Sequence, residues 1–135
     1  MTECETELPL DFYHLRRLQV EFSDLELSSD AGLLLVRQVD ERLGLCSRLS
    51  VAIEEWREPS KIIHSLEHLV RQRVYQLIGG YEDANDSNVL RHDPIYKLVC
   101  NRLPETGEHL LASQPTITRL ENQVDKRDNA RIRNV

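Results

Sequence analysis

Long apolar runs are missing from this chain. No stretch approaches the ~20 uninterrupted apolar residues a membrane helix needs, which excludes a spanning segment of that kind. Cysteine is scarce: Cys4, Cys46 and Cys100 are an odd set with no close pair. That argues against a disulfide framework and a zinc knuckle, and leaves reduced thiols, with Cys46 and Cys100 expected to be buried and Cys4 on a loose end. Residues 1–10 are acidic and lack the basic-then-apolar order of a signal peptide, so a cytoplasmic protein is expected. There is no internal repeat and no low-complexity tract. Nor is there a surplus of positive charge, because the net charge is −6, which speaks against a generic nucleic-acid binder.

What is present suits one compact domain. The 135 residues are 40% hydrophobic and 30% charged, enough for a modest core and too few for two domains of ordinary size. The charge is unevenly placed. Residues 1–60 hold 13 acidic against 6 basic side chains, a balance of −7, whereas residues 61–135 hold 10 against 11, a balance of +1. Any DNA contact is therefore expected from the second half.

The first fifteen residues show no usable periodicity, and 1–15 reads as a loose segment. From Val20 the pattern alternates through Phe22, Leu25 and Leu27, with Ser23-Asp24 placed for a turn, which predicts a short β-hairpin. Ser28, Ser29 and Asp30 offer N-cap oxygens for a helix from about Ala31, with Leu35, Val36, Val39 and Leu43 on one face and Gly44 as its left-handed stop. A shorter helix is expected from about Ser47 to Glu55. Ser60, after Pro59, is placed to cap the longest helix, whose stripe runs through Ile62, Ile63, Leu66, Leu69, Val70, Val74, Leu77 and Ile78 to Gly79-Gly80. Asp93-Pro94 opens another helix, and Ser113 with Pro115 a last one in which Ile117, Leu120 and Val124 share a face. The expected fold is mainly α: about five helices preceded by a short β-hairpin, a helical domain over 16–125, and a frayed basic tail over 126–135.

Three stretches carry a resemblance: SSDAGLLLVRQVDERLGL (28–45), HSLEHLVRQRVYQLIGGYEDANDSNVLRHDP (64–94) and LASQPTITRLEN (111–122). In this order and spacing they resemble the amino-terminal region of bacterial DDE transposases of insertion-sequence group thirteen-eighty. That family commonly has glycines at the hairpin turn, where this chain has Ser23-Asp24. The resemblance implies a transposition mechanism in which an RNase H-like domain uses an Asp, Asp, Glu set to hold two Mg²⁺ ions for in-line attack on phosphodiesters. In such proteins the first catalytic aspartate lies beyond the LEN segment, and this chain stops about a dozen residues past Asn122. The catalytic RNase H-like domain is thus expected to be absent, with no catalytic residue to assign, no cofactor in this fragment, and no cutting activity. Mg²⁺ is expected only of the full-length family.

Other constellations have simpler roles. His64, Glu67 and His68 spell the H-x-x-E-H of inverted zinc metalloproteases. At 100° per residue both imidazoles fall opposite the apolar stripe, on the expected solvent face, so no metal site is expected. The same geometry puts Arg73 inside the stripe and Arg71 outside it. A structural ion pair of Arg73 with the run after Gly79-Gly80 follows, with Asp83 and Asp86 as partners alongside Glu82; a functional contact for Arg73 is the alternative. As a metal cluster, YEDAND (81–86) is weaker than as a capping and pairing segment.

SQPTITRLE reads as the opening of a recognition helix, with polar residues at the end where base edges are read. Ser113, Gln114, Thr116, Thr118 and Arg119 would read bases, and Lys126, Arg127, Arg131 and Arg133 would meet phosphates. The alternative is an ordinary amphipathic helix leading into the catalytic domain. The function expected is that of an amino-terminal transposase fragment acting in transposition by binding transposon ends, weakly, or by assembling with a second copy or with intact transposase. A helical interaction module or inhibitor without DNA binding is the competing reading, and a remnant that needs the catalytic domain to fold is a third. No membrane partner is expected.

Overall fold

The computed structural model describes residues 7–10, 12–13, 17–21, 30–104, 107 and 109–135. It is mainly helical, as expected, with seven α-helices among the described residues: α1 Leu33–Leu43, α2 Leu45–Ala52, α3 Leu66–Ile78, α4 Ser87–Leu90, α5 Pro94–Val99, α6 Gln114–Gln123 and α7 Lys126–Ile132. The hairpin expected to turn on Ser23-Asp24 is not seen, and those two residues lie outside the described set. What pairs instead is an earlier segment: β1, Glu7–Leu10, runs antiparallel to β2, Leu18–Glu21, with Leu8 opposite Val20.

Several helix ends follow the sequence closely. Gly44 takes φ 64° and ends α1, a conformation that costs glycine little. The Asp93 side chain accepts the backbone N–H groups of Ile95 and Tyr96, with Pro94 in the first turn of α5. At α3 the cap is Ser65, whose oxygen accepts from the His68 N–H at 3.2 Å, while Ser60 sits in a separate 3₁₀ turn over Pro59–Lys61. The long helix therefore starts later than Ser60 implied. Its far end is crowded, because a Cβ on Gly79 would stand 2.3 Å from the Tyr96 hydroxyl.

The main core joins Leu33 and Leu34 of α1 to Cys46, Tyr75, Tyr96, Val99 and Leu111, and it also takes in Leu10, Phe12 and Tyr13. Within 1–15, expected to be loose, the described Leu10, Phe12 and Tyr13 are buried, since burying such side chains is worth more than their freedom; most of the rest lies outside the described residues. Arg37 lies over the Phe12 ring at 5.3 Å. Cys46 and Cys100 are buried free thiols, and burial pushes both up to about 12, so they resist ionisation and reaction. A second cluster of Leu69, Ala112, Ile117 and Leu120 fastens α6 to α3.

Polar groups hold the centre of the fold. Asp40 accepts the Tyr75 hydroxyl at 2.6 Å and the Cys46 N–H at 2.9 Å, with Arg37 and Arg71 at 3.8 and 3.9 Å. The Gln72 amide donates to the Ala112 carbonyl and accepts its N–H, both at 2.9 Å, and Gln76 exchanges bonds with Ser87. These side chains turn α3 so that Arg71 is buried, its side chain 7% exposed, which corrects its expected outward place. Arg73 does make an ion pair, but with Glu121 at 2.5 Å. Its remaining donors meet the carbonyls of Tyr81 and Glu82 at 3.1 and 2.6 Å. Asp83 bonds Asn85 instead, and Asp86 is not the partner either. The turn after Gly80, at φ 88°, folds backbone oxygens rather than these carboxylates onto the guanidinium.

The α1 face expected to be buried is open: Val39 and Leu43 are 55% and 61% exposed. With Leu35, Val36, Val74 and Ile78 they line an apolar groove of about 320 Å³. The expected frayed tail is also corrected, because 126–132 form α7 behind a reciprocal capping box between Asp125 and Asp128. No described helix is long and apolar enough to cross a membrane.

Candidate nucleic-acid interface

The link between α2 and α3 carries Trp56, Arg57, Lys61 and His64, and α7 fixes its start. Asp128 accepts the Glu54 N–H at 3.1 Å, while Arg131 donates to the Ala52 carbonyl at 2.8 Å and also bonds Asp128. Arg57 is oriented by Glu55 at 2.6 Å and by the His64 carbonyl at 2.7 Å. Across from this link stand Arg91, just after α4, Arg102, just after α5, and the opening of α6. Together they enclose a cleft of about 800 Å³ whose floor includes Leu66, Leu69 and Leu120.

The electrostatics of the cleft oppose those of the whole chain. Among the described residues its lining holds Arg57, Lys61, Arg91, Arg102 and Arg119 with His64 and His109, against one carboxylate, that of Glu58. Lys61 pairs with Glu58 at 2.7 Å, and Arg57 with Glu55. Arg91, Arg102 and Arg119 have no carboxylate partner among the described residues. Among the described residues the Arg102 guanidinium meets the His68 ring nitrogen, at 3.4 Å. Burial, and then the neighbouring Arg102 charge, hold His64 and His68 below the ordinary histidine range. Both rings are half-buried rather than on a free solvent face, and Glu67 is engaged with Arg71 at 2.5 Å. A concave, carboxylate-poor, cation-lined surface of this kind attracts anions.

The structure brings together some of the residues expected to touch DNA and separates others. Ser113, Thr116 and Arg119 line the cleft. Gln114 and Thr118 bond each other at 2.9 Å, and the Gln114 N–H donates to Asn88 at 3.1 Å. None of Lys126, Arg127, Arg131 and Arg133 lines the cleft. All four are exposed, and Arg131 also holds the Ala52 carbonyl and Asp128. Trp56, Arg57, Lys61, Arg91 and Arg102 were not expected. Trp56, Arg57 and Lys61 share the link between α2 and α3, and Arg91 and Arg102 follow α4 and α5; the more basic second half was a signal for Lys61, Arg91 and Arg102, and nothing pointed to Trp56 or Arg57.

Fold and site together define a small helical domain with one cation-lined cleft. A family model described as Transposase DDE domain group 1 matches residues 11–135, and the chain belongs to that family. No curated protein and no solved structure matches it.

Proposed function

We propose that this chain serves DNA transposition as a transposon-end binding and assembly region, of the kind found in insertion-sequence group thirteen-eighty, and does not cut DNA by itself. The observation that carries this reading is the gathering of Arg91, Arg102 and Arg119, without carboxylate partners among the described residues, on one cleft of a chain whose net charge is −6. Guanidinium groups that line one cleft without carboxylate partners make a field that favours an anion, and DNA supplies phosphates at regular spacing. Among the described residues no group of three or more His, Cys, Asp or Glu side chains is placed to hold a metal. In this reading the cleft grips DNA, Ser113 and Thr116 stand where base edges would be met, and exposed Lys126 and Arg127 add phosphate contacts.

A mobility-shift assay with element-end and random duplexes tests it. Arg102→Gln with Arg119→Gln is expected to weaken both complexes by roughly tenfold or more; an unchanged shift contradicts the reading. Assembly rests on a separate observation, the open apolar groove along α1 and α3, since exposed apolar patches mark interaction surfaces. This groove also favours the competing reading, an interaction module without DNA binding. Val39→Asp is expected to abolish association with a second copy in sedimentation while leaving the DNA shift intact.

A further inference from the structure

We infer that the cleft receives an unpaired nucleotide, with its base against Trp56 and the leucine floor and its phosphate among Arg91, Arg102 and Arg119. The inference rests on the DNA-binding reading above and narrows it to the strand state of the DNA.

Shape is the first support. The cavity is concave, about 800 Å³, within the range of sites that enclose a small ligand. The phosphates of a duplex lie on the outside of a rod and would meet only the rim. Composition is the second. Between the cations the lining includes exposed Ile63 and half-buried Leu66 with the buried Leu69 and Leu120, apolar groups that offer nothing to a phosphodiester backbone but suit the flat apolar face of a base. In a duplex that face is hidden by stacking and becomes available only when the base is extruded or unpaired.

The third support is an orphan donor. Arg91 lines the cleft, and its Nε has no hydrogen-bond partner among the described residues, so the guanidinium is not committed to a protein acceptor and can turn to one that enters the cleft. Trp56, 42% exposed in the lining, completes the pattern of proteins that hold single strands, a cationic groove beside an aromatic stacking platform.

The chain has one tryptophan, so its fluorescence reports this cleft alone. The full chain is titrated at fixed salt with a short single-stranded DNA, the blunt duplex of the same sequence, and that duplex with a single-stranded overhang. Single strand and overhang are expected to quench Trp56 and to bind roughly tenfold more tightly than the blunt duplex. By anisotropy of labelled DNA, Trp56→Ala should remove this preference and Trp56→Phe keep most of it. Arg91→Gln should weaken single-strand binding more than duplex binding, with circular-dichroism melts showing that each variant is folded. Equal affinity for blunt duplex and single strand, with Trp56→Ala indifferent, overturns the inference and leaves the DNA-binding reading standing. Binding of no DNA form overturns both.

Discussion

Asp40 shows how much one residue can hold. Burial by itself would raise its pKa, yet the bonds from Tyr75 and Cys46 and the charge of Arg37 outweigh it and leave the carboxyl below its ordinary value. Removing one partner from a buried charged network strands the others, so Asp40→Ala is expected to cost about 3–5 kcal/mol in denaturant melts. The sign with pH follows. The folded pKa is lowered, so Asp40 contributes its stability above the unfolded value near 3.8 and loses it as pH falls through the folded one. The wild type should therefore weaken in acid more steeply than Asp40→Asn.

His64 gives the opposite kind of signal. Its neutral form is favoured in the free protein, through burial first and Arg102 next. A phosphate in the cleft would offset the Arg102 charge and raise the imidazole pKa, so binding would take up protons. DNA affinity is expected to rise as pH falls from about 7.5 to 6, and His64→Gln with His68→Gln should flatten that rise. A pH-independent affinity in the wild type would separate the imidazoles from the site.

Among the elements, α3 shows what the sequence could and could not disclose. Its existence was legible from periodicity, and so were its glycine end, the Asp93-Pro94 start of α5, the Gly44 stop and the buried Ile117 and Leu120 of α6. Its phase was not legible. Counting only apolar residues placed Leu77 and Ile78 inward, whereas both are half exposed and Gln72 and Gln76, one turn apart, are fully buried with Leu69 and Tyr75. Buried amides read as surface residues until their partners, Ala112 and Ser87, are known, and those lie far along the chain. The cleft was half legible for the same reason. Its α6 wall is contiguous and was found, but its arginines come from separate loops that only tertiary structure assembles. The corrected phase is itself testable. Arg71→Ala should cost about 3 kcal/mol, because it strips a buried charge from between Asp40 and Glu67. A denaturation midpoint equal to wild type would restore Arg71 to the solvent face.

Across the whole molecule, an acidic chain gathers Arg91, Arg102 and Arg119 on one surface. The core holds α3 and α6 together beneath the cleft, α7 ties down the link that carries Trp56 and Arg57, and the apolar groove along α1 is left open beside them. Net charge alone argued against DNA, yet local field decides binding when cations are focused in a cleft and the acidic groups stand elsewhere. The most direct test is the salt dependence of equilibrium binding to element-end DNA, comparing wild type with the Arg91→Gln, Arg102→Gln, Arg119→Gln triple variant. Every phosphate that is no longer neutralised should flatten the logarithmic slope by about 0.7–0.9. The account therefore predicts a slope shallower by about 2–3 in the folded triple variant, with much weaker binding at low salt. A triple variant that melts like wild type and binds with the same affinity and slope would contradict the account, and the DNA surface would have to be sought away from this cleft.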